Sequence, residues 1–183
     1  MSDYEPIAIG KVDAVCVNGG EIEGIMIKRE GVFSDIHSHN TRRLSGHDGR
    51  FKKTTGLIDG EEVFNWRTWT GISSEEIREV EEAAGFSIPV GIILENIRFS
   101  GIPDFSKIQP GSYLVFPSKA VLAVWSENGP CKTVGKRLEE LHQKEGVNTS
   151  FIKHAQGKRG VMGFVLAPGF ITKGQEVRLF PPM

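Results

Sequence analysis

Among the side chains able to act as nucleophiles or metal ligands, Cys131 has the neighbourhood best suited to chemistry. It follows Gly129-Pro130 and immediately precedes Lys132–Lys144, where Val134, Leu138 and Leu141 fall on one helical stripe. A cysteine at a helix N-terminus meets free backbone N–H groups and the positive end of the macrodipole. Lys132, Lys136 and Arg137 add positive charge nearby. Together these favour the thiolate, the form that attacks a sulfane sulfur or binds a soft metal. The alternative is an inert, buried thiol. Cys16 sits between Val15 and Val17 in an alternating segment and reads as a small core residue.

Other groups could serve Cys131. Arg42, Arg43, Arg50, Lys52, Lys53, Lys158 and Arg159 would form an anion pocket for a phosphate or carboxylate if they converged, and are otherwise solvated surface. Arg159, followed by Gly160, is the strongest candidate among them. Glu95 and Asn96 stand between two apolar segments, where they would satisfy turn amides or, beside Cys131, handle a proton or orient a basic group. His37, His39 and His47 raise a metal site, but no cysteine or carboxylate lies at a zinc spacing, so a proton partner for Cys131 is the better reading. The chain has no G-x-S-x-G elbow, phosphate loop, dinucleotide glycine pattern or Cys-x-x-Cys.

The elements that must hold these residues are mostly strands. Ile7–Val17, Ile25–Ile27, Val90–Leu94, Ile97–Phe99, Ser112–Phe116, Ala120–Trp125, Gly163–Pro168 and Gln175–Phe180 are apolar or alternating. Asn18-Gly19-Gly20 is a hairpin turn. Ser73 and Glu76 have capping-box spacing before a helix that Gly85 closes, with its charged side in water. Asn148 is placed to cap a shorter helix over Thr149–Gln156. Ser34–Lys53, polar and rich in His and basic residues, reads as a long loop. Many short strands with a few helices predict a mainly β domain, a barrel with peripheral helices, occupying 1–183 as one unit.

An ordered set of motifs in the second half resembles the MOSC domain, named for the C-terminal part of molybdenum-cofactor sulfurases. The set is Leu94-Glu95-Asn96-Ile97, Gly101, Ile108-Gln109-Pro110-Gly111, the Val121–Trp125 strand into Gly129-Pro130-Cys131, Arg159-Gly160, and Gly169–Val177. It spans residues 89–179. In the first half, Asp35-Ile36-His37 and Asn65-Trp66-Arg67 correspond to a His-bearing loop and an Arg-led segment. One departure is plain: family members usually carry glycine before Glu-Asn, where this chain has Leu94. The resemblance implies a β-barrel whose cysteine accepts sulfur as a persulfide or ligates molybdenum. It also implies that Arg159, Glu95, Asn96, Arg67 and His37 bind the cofactor or substrate.

Three readings follow. The first is a sulfur carrier loaded by a partner cysteine desulfurase, with pyridoxal phosphate on that partner rather than on this chain. The second is a molybdenum-cofactor-binding reductase of N-hydroxylated compounds, with Cys131 as the metal ligand and electrons from a donor protein. The third is a non-catalytic barrel that binds a small anion. The 22 basic and 23 acidic side chains leave a formal charge of −1, which gives no reason to expect nucleic acid. Without an apolar run of about 18 residues no membrane helix is expected. The start has no secretory pattern, so a cytoplasmic location with free thiols is expected.

Overall fold

Strands alternate buried and exposed side chains because one face of each must leave water. In the computed structural model, which describes residues 5–182 apart from the side chain of His47, the elements run in this order. Strands β1 to β6 are Ala8–Val17, Gly20–Ile22, Gly24–Lys28, Gly31–Val32, Thr41–Arg43 and Glu62–Phe64, with helix α1, Gly49–Thr55, between β5 and β6. Then come β7 (Trp69–Ser73), α2 (Ser74–Ala84), β8 (Ile97–Ser100), β9 (Tyr113–Val115) and β10 (Val121–Glu127). Helices α3 (Lys132–His142) and α4 (Val147–His154) precede β11 (Val161–Ala167), β12 (Gly169–Thr172) and β13 (Glu176–Phe180).

Seven strands close a barrel in the order β1-β13-β9-β10-β11-β7-β8 and back to β1. All pairs are antiparallel except β7 and β8, which run parallel with Gly71 opposite Ile97. The barrel is filled by Val12, Val15, Ile97, Phe99, Phe105, Leu114, Leu122, Val177 and others around Trp69. Trp69 is fully buried, and its indole N–H donates to Ala123 O at 3.1 Å and Phe164 O at 3.3 Å, so its one polar atom is satisfied. A second core lies outside the barrel, where Ile77 and Val80 of α2, Val134 and Leu138 of α3 and Phe151 of α4 meet Ile88 and Ile93. No helix among the described residues is long and apolar enough to cross a membrane.

Several local readings change. Val90–Leu94 is a run of turns, not a strand, because Gly91 (φ 81°) and Leu94 (φ 62°) both take left-handed backbone. Leu94 therefore holds the conformation for which glycine is the low-cost choice. The Ser34–Lys53 stretch is not all loop: it contains β5 and the start of α1, and β5 pairs with β6. Helix α4 starts at Val147 after Gly146 (φ 85°), and the Asn148 amide N–H is taken by Glu139 Oε2 at 3.0 Å. Ser73 caps α2 through Glu75 N and Glu76 N. Glu76 does not turn back to the cap and does not face water. It is buried, accepting from Ser106 N at 3.0 Å and Ser106 Oγ at 2.6 Å. Trp125, at the end of an apolar strand, is 48% exposed, because a β-bulge between the Val124/Gly163 and Ser126/Met162 pairs leaves it unpaired and turns it outward. Six strands were not legible: β2, β4, β5 and β6, each of two or three residues, β12, which pairs with β3, and β7, the strand that carries Trp69.

Candidate functional site

Four neighbouring strands, in the order β8-β7-β11-β10, bring the candidate residues together. Glu95 and Asn96 lead into β8, Arg67 approaches β7, Arg159 and Gly160 lead into β11, and β10 runs out to Cys131. Gly160 permits this junction. Its φ is 77°, and a Cβ there would lie 1.9 Å from Gly71 O, so only glycine lets the Arg159 turn sit against β7. Asn128 N donates to Gly160 O at 2.9 Å and ties the Cys131 turn to the same place.

Cys131 is the N-cap of α3, with extended backbone (φ −134°, ψ 156°), half-buried against the helical core. Its side chain makes no capping hydrogen bond. Lys132 and Lys136 are exposed, and Arg137 packs toward Gly19. The guanidiniums on which Cys131 acts are instead those of Arg67 and Arg159. Burial lowers the pKa of each guanidinium, and after burial the charge acting most strongly on each is Cys131, which opposes that shift. Arg159 also feels Arg67, the unfavourable meeting of two like charges.

Arg159 is 3% exposed and held rigidly: Nη1 donates to Asn128 Oδ1 at 2.7 Å and Gly129 O at 2.9 Å, and Nη2 to Ile93 O at 3.0 Å. Among the described residues neither arginine has a carboxylate ion-pair partner. The buried Nε of each has no hydrogen-bond acceptor. Glu95 does not answer them. Its Oε1 accepts from Arg98 Nη2 at 2.5 Å and from Gly91 N at 2.9 Å, and its buried Oε2 has no partner.

Asn96 acts as a clamp, its Oδ1 accepting from Thr70 N at 2.9 Å and its Nδ2 donating to Asp35 Oδ2 at 2.9 Å. Asp35 in turn meets His37, with Oδ1 3.1 Å from the ring Nδ1 and 2.9 Å from the backbone N. Burial would raise the Asp35 pKa, but the bonds from His37 and from Asn18 N outweigh it and hold the carboxyl down at about 2. Asn65 Nδ2 donates to His37 O and His39 O at 2.9 Å each, fixing the histidine loop beside Arg67. The loop and the β5–β6 hairpin enclose a cleft of about 670 Å³ lined by His37, His39, Arg42, Trp66, Arg67 and Met162 among others. Cys131, Glu95, Asn96 and Arg159 do not line it; Arg67 is the residue shared between cleft and cysteine.

Of the remaining basic residues, Arg42 and Arg43 join Arg67 in lining the cleft, but each is already engaged, and the lysines lie apart. Arg42 is held by Asp48 and lies 4.3 Å over the Trp66 ring, Arg43 donates to Gly60 O, Lys52 pairs with Asp59, and Lys158 pairs with Glu79 at 2.6 Å. No group of three or more potential metal ligands occurs among the described residues, and the His47 side chain lies outside them. Cys16 is fully buried, and burial with nearby Glu95 pushes its pKa up to about 12.

The MOSC domain family model matches residues 65–178. YuaD of Bacillus subtilis (strain 168), whose name provisionally assigns it to metal-sulfur cluster biosynthesis, is 30% identical over 154 residues, covering 81% of this chain and 76% of that protein. The crystal structure of the Bacillus subtilis YuaD protein superposes with a TM-score of 0.88 at 24% identity, over 96% of this chain and 97% of the other. YiiM from Escherichia coli superposes with a TM-score of 0.56 at 19% identity, over 97% of this chain and 72% of that one.

Proposed function

Because the chain belongs to the MOSC domain family, we propose that it carries sulfur as a persulfide on Cys131 for metal-sulfur chemistry. One observation carries this reading: Cys131 caps α3, and its charge acts on half-buried Arg67 and buried Arg159, neither of which has a carboxylate ion-pair partner among the described residues. Buried cations without counter-charge are costly, and a sulfur anion at position 131 offsets that cost in the free and in the loaded state. The name of YuaD, a relative covered over most of its length, points to the same chemistry.

The loading step is a thiol exchange. The Cys131 thiolate attacks the terminal sulfur of a persulfide on a pyridoxal-phosphate cysteine desulfurase. A new S–S bond forms, the donor's S–S bond breaks, and the donor cysteine leaves as a thiolate. In this reading His37, which lines the cleft and is bonded to Asp35, takes or returns a proton at the cleft side. The test is loading by a desulfurase with cysteine, read as a mass gain of one sulfur on the Cys131 peptide. Wild type loads; Cys131→Ser, folded as judged by circular dichroism, does not. Loading that survives in Cys131→Ser would refute the assignment.

The cleft favours a second reading. A space of about 670 Å³ lined by Arg42, Arg43 and Arg67 suits the phosphate of a molybdenum cofactor; Cys131, which does not line the cleft, would have to reach the metal from beyond Arg67 to serve as the thiolate ligand. When bound, that cofactor supplies two-electron redox chemistry, and a separate donor protein supplies the electrons. Copurification of molybdenum from a host that makes the cofactor, lost in Cys131→Ser, decides for it.

A further inference from the structure

We propose that Cys131 takes its sulfur from thiosulfate, with Arg67 and Arg159 holding the sulfite that leaves. This rests on the persulfide reading of Cys131 and names the donor. A carrier loaded only from another protein's persulfide ejects a thiolate on that partner, and needs no oxyanion site of its own. This chain nevertheless surrounds the cysteine with two guanidiniums. Arg159 is 3% exposed, and both retain a buried Nε with no acceptor in the protein. A buried donor left unpaired costs on the order of 1–3 kcal/mol, so two of them at one thiol mark the place of a missing acceptor.

Charge leads to the same ligand. The Arg67 charge works against that of Arg159, and the carboxylates that act on the two guanidiniums are bound elsewhere, Glu95 to Arg98 at 2.5 Å and Asp35 to His37 at 3.1 Å. A small dianion with several acceptor oxygens supplies both the charge and the hydrogen-bond acceptors. The residue after Arg159 is tied to the Cys131 turn through the bond from Asn128 N to Gly160 O, and the Arg159 Nη atoms are fixed on Asn128, Gly129 and Ile93. It is therefore set in place before substrate arrives, as preorganised stabilisation requires.

The step balances without a further oxidant or reductant. The Cys131 thiolate attacks the sulfane sulfur of thiosulfate, and a Cys131 S–S bond forms. The S–S bond of thiosulfate breaks, and its electron pair leaves with the sulfonate sulfur as sulfite. Negative charge grows on the departing oxygens, for which the unpaired Nε–H groups of Arg67 and Arg159 are the proposed donors.

The test uses reduced full-length protein with thiosulfate, and with cyanide as a final sulfur acceptor. Sulfite release, thiocyanate formation and the mass of the Cys131 peptide are measured. Wild type is expected to release sulfite in step with Cys131 loading, and sulfate, which lacks a sulfane sulfur, to compete. Arg67→Gln and Arg159→Lys should lower kcat/KM for thiosulfate by about 100-fold each, the usual effect of removing an oxyanion donor. Alkylation of Cys131 by uncharged iodoacetamide, which needs the thiolate but no oxyanion site, should fall far less. If Arg159→Lys does not fold, Arg67→Gln at the cleft edge carries the comparison. Loading by a desulfurase but not by thiosulfate overturns this proposal and leaves the carrier reading standing. Equal losses of turnover and alkylation also overturn it, since the arginines then act only on the thiolate. If neither donor loads Cys131, both readings fall.

Discussion

At the scale of single residues, the contrast between the two cysteines follows from what surrounds each. Cys16 lies in the barrel wall with Glu95 near it, and its pKa of about 12 keeps it a neutral thiol. Cys131 sits on a helix cap beside Arg67 and Arg159. The same reasoning gives Asp35 a measurable role. Its carboxyl, held at about 2 against an ordinary 3.8, binds its proton less readily when folded than when unfolded. Its contribution to stability is therefore complete above about pH 4 and fades as pH falls towards about 2. The shift corresponds to about 2 kcal/mol. Asp35→Asn should lose about that much at neutral pH, and the gap from wild type should close at about pH 2 in urea titrations. A gap that stays constant with pH would show that the carboxylate charge is not what matters. Cys131, Arg159, Glu95 and Asn96 were legible as candidates because each sits in a short motif between strands. That Glu95 belongs to Arg98, and that Asn96 reaches Asp35, was not legible, because both partners depend on how turns and strands pack.

Elements explain why motifs of two residues recur as pairs. Arg159 needs Gly160, since the turn carrying the guanidinium must pass within contact of the β7 backbone. Gly160→Ala combines positive-φ strain with a backbone clash and should cost about 3 kcal/mol or more, or prevent folding. Chemical denaturation would read this, and a loss under about 1 kcal/mol would mean that the junction relaxes easily. Most strands and the three longer helices were legible from alternation, helical stripes and caps. The misses have physical causes. Val90–Leu94 is apolar like a strand, yet its backbone turns left-handed twice. Strand β7, Trp-Thr-Gly-Ile-Ser, is buried at every position, and a five-residue segment without alternation offers no period to read. Strand β12 begins two residues after β11 ends, so its pairing with β3 is long-range and absent from local sequence.

The whole molecule is a barrel with three attachments: the β12-β3-β4 sheet packed on the barrel core, the helical layer that presents Cys131, and the β5–β6 hairpin that walls the cleft. The hairpin is held by aromatic contacts rather than by the barrel's own ladder. Phe64 meets Phe164 edge-on at 5.6 Å, Trp66 lies 6.1 Å from the bulged Trp125, and Phe51 lies 5.1 Å from Trp66. Such pairs contribute about 1 kcal/mol each beyond burial, enough to seat a hairpin but not to fix the barrel. Phe64→Ala should therefore speed hydrogen exchange across residues 41–64 and leave β7, β10 and β11 protected. Loss of protection throughout would show instead that the hairpin is integral to the barrel's stability. This division also explains why the fold class was legible while the 34–53 segment was not. Barrel strands announce themselves by alternation, whereas the hairpin's anchors are three aromatics spread over residues 51–66, with partners near 125 and 164.

The central claim concerns Cys131 as a sulfur carrier. Its most direct test is native mass spectrometry of protein purified anaerobically from a host that synthesises molybdenum cofactor, beside Cys131→Ser prepared identically. Wild type is expected to carry an added sulfur mass, mapped to Cys131 and not to Cys16, and absent from the variant. A bare wild-type chain that also resists loading by a sulfur donor would contradict it.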